Sequence, residues 1–118
     1  MPALNFKAQF AEEVEEGRKR QTIRLRRKKP IRVGDRLFLF AGMRTKQCRR
    51  LRAGTEAYCQ STEPIEIRNG RVMVNGRGLT LFEIWRLAKA DGFETPEAFF
   101  SFFRNQYGLP VEGDVIRW

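Results

Sequence analysis

Apolar residues recur every four positions at Phe6, Phe10 and Val14, and Glu12, Glu13, Glu15 and Glu16 fill the other side of that stretch. The period predicts a short amphipathic helix, and Gly17 suits the left-handed position that ends it. Over residues 21–26 the period shortens to two. Ile23 and Leu25 alternate with Thr22, Arg24 and Arg26, which predicts a strand. Ile23 and Leu25 are expected to face the core, with Thr22 and Arg24 together on the opposite face. Residues 28–33, marked by Pro30, form a connection. GDRLFLFAG (34–42) predicts a turn followed by a buried strand, and strand-like sequence continues irregularly over 46–60.

IEIRNGRVMV (65–74) is a hairpin pattern: β-branched residues flank Asn69-Gly70, the pair that favours a type I′ turn. Two helices are expected next. Thr80 and Glu83 have capping-box spacing ahead of an apolar stripe of Leu81, Ile84, Trp85 and Ala88, and Gly92 ends that stretch. Thr95 and Pro96 then have N-cap and first-turn chemistry. Phe99, Phe102, Phe103 and Tyr107 share a face before Gly108, and GDVIRW closes the chain as a strand. The Phe cluster and Trp85 are expected in the core. Helix, short turn-rich strands, two helices and a strand make an α+β chain. A small, largely antiparallel barrel with helices beside it would satisfy that pattern.

A chain of 118 residues supports one core, and no linker, repeat or low-complexity segment divides it. Charge adds a second layer to this picture. Residues 18–52 hold 15 Lys or Arg against one acid, Asp35, a local charge of +14; the remainder holds 8 basic and 13 acidic residues, or −5. So lopsided a distribution suits an acidic polymer such as RNA or DNA. No segment joins this charge to a long apolar face, and no apolar run has transmembrane length, so a membrane partner is not expected. A cytoplasmic location is the default, with Cys48 and Cys59 as free thiols. These two cysteines lack metal-ligand spacing, so no metal or other cofactor is expected. The chain contains no His. Ser-His and Cys-His nucleophile pairs are therefore excluded, and acid–base work falls to Lys, Asp, Glu, Tyr or Cys.

Three blocks in order, GRKRQTIR (17–24), VGDRLFLF (33–40) and AKADGFETPEAFFSFFRNQYG (88–108), resemble the ASCH domain of the PUA-like superfamily. The resemblance spans nearly the whole chain as a single domain, 1–118. It implies a small PUA-like β-barrel with a cleft between barrel and helices, and RNA or nucleoside binding. Some bacterial ASCH proteins are amidohydrolases acting on N4-acetylcytidine, and others have been described as ribonucleases. In the amidohydrolases a Lys, a Thr and a carboxylate form the active site. These match Lys19, Thr22 and Asp91, with Glu94 and Glu97 as alternative carboxylates, and Arg24 matches the Arg of the T-I-R block.

The residues carry independent readings as well. Crowding by other cations lowers a lysine's affinity for its proton, so Lys19 is a candidate base. In a strand Lys19 and Thr22 would point opposite ways, so a shared site requires residues 18–20 to form a turn. Asp91 sits where a helix ends, a position whose dipole disfavours an anion, and local rules tend to be broken at functional sites. Arg18, Arg20, Arg24, Arg26, Arg27, Lys28, Lys29, Arg44, Lys46, Arg49 and Arg50 are candidate nucleic-acid contacts. The leading expectation is RNA or other nucleic-acid binding through a basic face and a central cleft, with a modified nucleoside as a possible ligand. The alternatives are a metal-independent amidohydrolase or ribonuclease using Lys19, Thr22 and Asp91, or a protein-interaction module in transcription regulation. Nothing in the sequence decides the oligomeric state.

Overall fold

Local chemistry places most of the elements. The structure, a computed structural model, describes residues 2–118. Its elements in chain order are β1 (Ala3–Phe6), α1 (Ala8–Glu15), β2 (Gln21–Leu25), β3 (Arg36–Ala41), β4 (Arg49–Arg50), β5 (Ala57–Tyr58), β6 (Ser61–Arg68), β7 (Arg71–Val74), β8 (Arg77–Gly78), α2 (Leu81–Ala90), α3 (Pro96–Tyr107) and β9 (Val111–Arg117). The arrangement is α+β. Its radius of gyration, 14.0 Å, is close to the roughly 13.5 Å of a compact chain of this length.

The strands form two sheets. In the smaller one β3 is central: β1 runs parallel to it, and β4 and β5 pair with it antiparallel. The larger has the order β2-β9-β6-β7-β8 and is antiparallel throughout. Residues 57–68 pass from the first sheet, as β5, into the second, as β6. Among the described residues no ladder joins the sheets into a closed barrel.

One apolar core lies between the sheets and helices, with Leu39, Ile67, Val115, Phe99 and Phe103 almost fully buried. Phe93, between α2 and α3, links the helices. Its ring lies 5.3 Å from Phe10 of α1, 5.7 Å from Phe99 and 5.3 Å from Phe102. Helix ends follow their local signals. Thr80 and Glu83 make both bonds of the capping box, and Thr95 caps α3 with Pro96 behind it. Gly17, Gly92 and Gly108 end the three helices with positive φ.

The structure corrects four expectations. Phe6 belongs to β1 rather than to the helix of Phe10 and Val14. The four-residue spacing runs on across the extended residue Lys7, which makes no side-chain cap, so periodicity alone could not locate the break. Leu25 is 45% exposed. It is the last paired residue of edge strand β2, where burial ends. Trp85 is also 45% exposed, because α2 buries Ile84, Leu87 and Ala88 and turns Trp85 outward. The hairpin forms with Arg68 opposite Arg71, but only Gly70 of the turn pair has positive φ. The turn is therefore not type I′, which needs both. Asn69 instead accepts a 2.7 Å hydrogen bond from Arg104 of α3.

Candidate functional site

The cleft lies where β1, the start of β2, α1 and the ends of α2 and α3 meet. It encloses about 280 Å³, lined by Asn5, Phe6, Phe10, Lys19, Thr22, Arg24, Asp91, Phe102 and Tyr107 among others. Lys19 and Thr22 reach the same space because residues 16–18 turn before β2 begins at Gln21. The amides of Arg18 and Lys19 both donate to Glu13 O, which pins that turn to the end of α1.

Lys19 is only 3% exposed and Asp91 only 4%. Lys19 Nζ donates to the Asp91 backbone oxygen at 2.5 Å and lies 3.4 Å from its Oδ1. Gln21 Nε2 donates to the same Oδ1 at 3.2 Å and to Leu87 O at 3.3 Å. The helix end itself thus supplies a ligand to the lysine, and the lysine offsets the anion's unfavourable place on the dipole. Lys19 Nζ also sits 4.8 Å from the Phe10 ring centroid. That approach requires Gly92, since a Cβ there would lie 3.0 Å from the Phe10 ring.

Burial pushes the lysine's pKa down, opposed by the charge of Asp91. Burial pushes the carboxyl up, opposed by Lys19. Both shifts favour neutral forms, while the ion pair favours charged ones. The pair is best described as one unit holding one proton, with zero net charge wherever that proton sits.

Arg24 closes the other wall. Its Nε donates to Thr22 Oγ1 at 2.9 Å, its Nη2 to Asn5 O at 2.8 Å, and its guanidinium covers the Phe6 ring at 4.9 Å. Burial lowers its pKa, yet an arginine remains charged. Thr22 therefore accepts from a cation and keeps its own O–H as a donor. No hydrogen bond joins Lys19 to Thr22 among the described residues; both face the cleft.

The predicted cations divide. Arg18 is held by Glu13 at 2.7 Å and Arg49 pairs with Glu15 at 3.8 Å. Arg20 donates to the Trp118 backbone oxygen, and Arg26 to that of Gly113. Arg50 covers the Phe38 ring. Arg27, Lys28, Lys29, Arg44 and Lys46 make no side-chain hydrogen bond or ion pair to a described residue. Asn5 Oδ1 accepts from the Met43 amide, so the loop bearing Arg44 and Lys46 adjoins the cleft wall. Arg27 and Lys29 line a broader depression of about 570 Å³ with Arg32 and Arg36. Glu94 and Glu97 are not among the cleft residues.

Gln21 was not a candidate from sequence, although it orients Asp91. At the first position of a strand it carries no periodic signal. Asn5, Phe6 and Tyr107 were likewise invisible as site residues, because their convergence is tertiary, and Phe102, expected in the core with its cluster, lines the cleft instead. Among the described residues no group of three or more His, Cys, Asp and Glu side chains is placed to hold a metal. None of their helices is long and apolar enough to cross a membrane. No family model matches this chain, and no match to it is found among curated proteins or solved structures.

Proposed function

We propose that the protein is an RNA-binding domain of the ASCH, PUA-like kind that takes one nucleoside into the cleft. The observation that carries this is the cleft's construction: a buried Lys19–Gln21–Asp91 network behind an opening walled by Arg24 and the Phe6, Phe102 and Tyr107 rings. Unstacked bases are held by aromatic faces and guanidinium planes together with hydrogen bonds to their edges. Arg27, Lys28, Lys29, Arg44 and Lys46, unpaired among the described residues, would meet the flanking phosphates. Each phosphate contact adds to a linear fall of log affinity with log salt. The test is retention of a mixed RNA pool across low to moderate salt. Salt-independent retention, or none, would overturn the reading.

A second reading is an amidohydrolase, favoured by a buried amine, Lys19, that lines the same cleft as the Thr22 hydroxyl, which a guanidinium supports. In that reaction the Thr22 hydroxyl oxygen attacks the acyl carbon of an N4-acylated cytidine, and Lys19 takes the hydroxyl proton. The C–N bond then breaks, and the departing amine takes the proton back from Lys19. Water hydrolyses the acyl-threonine, restoring the hydroxyl. Arg24 would stabilise the developing charge on Thr22. Mass spectrometry of N4-acetylcytidine after incubation tests this. Acyl loss that disappears in Thr22→Ala supports the enzyme; an unchanged nucleoside, with salt-sensitive RNA retention, leaves a binding domain.

A further inference from the structure

The outward face of α2 breaks the usual pattern of a surface helix. Leu81 is 83% exposed, Phe82 65% and Trp85 45%. Applied to side chains of roughly 150–250 Å², these fractions give a patch on the order of 400 Å², in the range where exposed apolar patches on monomers are often functional. The rings are ordered by their own helix. Phe82 and Trp85 stack with centroids 6.2 Å apart and planes at 20°. Cations lie against both: Arg86 is 5.9 Å from the Phe82 centroid and Lys89 Nζ 5.7 Å from that of Trp85. Neither cation has a carboxylate partner among the described residues. The helix's one acid, Glu83, is turned to Arg77 and the Thr80 amide.

We infer that this face docks an acidic segment of another protein, one that presents apolar side chains between its carboxylates. An apolar centre with cations at its margin complements that chemistry directly. Pre-stacked rings also lose little freedom on binding. Trp and Arg, moreover, are the residues that most often dominate interface energies. A second copy of this chain fits less well, because it would set this face's cations against a like face that offers no carboxylate, Glu83 being turned to Arg77 and the Thr80 amide. A nucleic-acid base fits less well too. Lys89 and Phe82 already lie against Trp85, and Leu81 offers an aliphatic surface on which no base stacks. The face lies on the side of α2 away from the buried Ile84, Leu87 and Ala88, so this inference stands apart from the cleft reading. At about half of a standard partner's roughly 800 Å², the contact falls in the size range of transient encounters.

Trp118 is buried and Trp85 exposed, so intrinsic fluorescence reports on the patch. The full chain is titrated with three probes: a synthetic peptide alternating Glu and Asp with Leu and Phe, an equally charged peptide without apolar residues, and a uridine-rich single-stranded RNA. The first is expected to shift Trp85 emission saturably. Phe82→Ala, and separately Arg86→Glu with Lys89→Glu, should each weaken that binding about tenfold, while Thr22→Ala leaves it unchanged. Because these side chains are exposed, the variants are expected to keep the wild-type melting temperature, which is checked alongside. Equal binding of the peptide without apolar residues overturns the proposal. So does RNA binding lost in Phe82→Ala, self-association lost in Phe82→Ala, or no peptide response.

Discussion

Lys19→Met removes the amine from the buried pair while keeping most of its volume. Asp91 is then left 4% exposed with one neutral side-chain donor, Gln21 Nε2 at 3.2 Å. Two routes remain. An unpaired buried charge costs about 3–5 kcal/mol. Alternatively the carboxyl takes up a proton. From its ordinary value of 3.8 to pH 7 that costs at most about 4 kcal/mol, at 1.36 kcal/mol per unit. The cheaper route sets the loss, so the variant should be less stable by about 3–4 kcal/mol near pH 7, a large part of a typical 5–15 kcal/mol. The sign of its pH dependence follows from the raised folded pKa. Such a carboxyl contributes stability below 3.8 and loses it as pH rises through the folded value. The deficit of the variant against wild type should therefore shrink by about 1.4 kcal/mol per unit as pH falls toward 4. Urea unfolding at roughly pH 7, 6 and 5 measures it. The double variant Lys19→Met, Asp91→Leu should recover most of the loss, since replacing a whole buried pair by apolar groups is often neutral. A deficit under about 1 kcal/mol, a deficit flat with pH, or additive single losses would refute the description of the pair as one unit.

Three further outcomes follow from the geometry. Gly113→Ala would place a Cβ 2.0 Å from Arg24 O across the β2–β9 ladder; unfolding experiments should show a loss of about 3 kcal/mol. Trp85→Ala should change stability by no more than about 0.5 kcal/mol, whereas Phe99→Ala, at a site with no exposure, should cost about 3–5 kcal/mol; thermal melts separate the two. Arg24→Lys cannot reproduce the paired bonds from Nε to Thr22 and from Nη2 to Asn5, so filter binding should show RNA affinity reduced about tenfold with the fold retained.

Elements with self-contained local signals were legible in the sequence. The capping box at Thr80 and Glu83, Thr95 with Pro96, and the glycines that end the helices all act within a few residues, and each stands where its chemistry places it. Of the candidate site, Lys19, Thr22, Arg24 and Asp91 come together in one cleft. The turn that brings Lys19 and Thr22 to one cleft spans residues 16–18 rather than the expected 18–20; the positive φ of Gly17 and the bonds to Glu13 O produce it locally.

What failed was whatever depended on a partner distant in sequence. Strand β1 exists because β3 offers it a parallel edge. Four residues with two inward positions carry no decisive period of their own. Trp85 looked like core because α2 is apolar over a wider arc than its neighbours cover; only the packing chose Ile84, Leu87 and Ala88. Gln21 became part of the site because β2 passes beneath the end of α2, and no pattern along the chain marks that crossing.

The sequence by itself thus determined the α+β class, the helix ends and the concentration of positive charge in residues 18–52, because these depend on composition and on contacts within one or two turns. Tertiary structure alone decided which cations find partners among the described residues, which carboxylate lies beneath Lys19 and which apolar face of α2 remains in water. Burial and pairing are properties of surfaces brought together from opposite ends of the chain, and the free energy of a charge or a ring depends on that meeting.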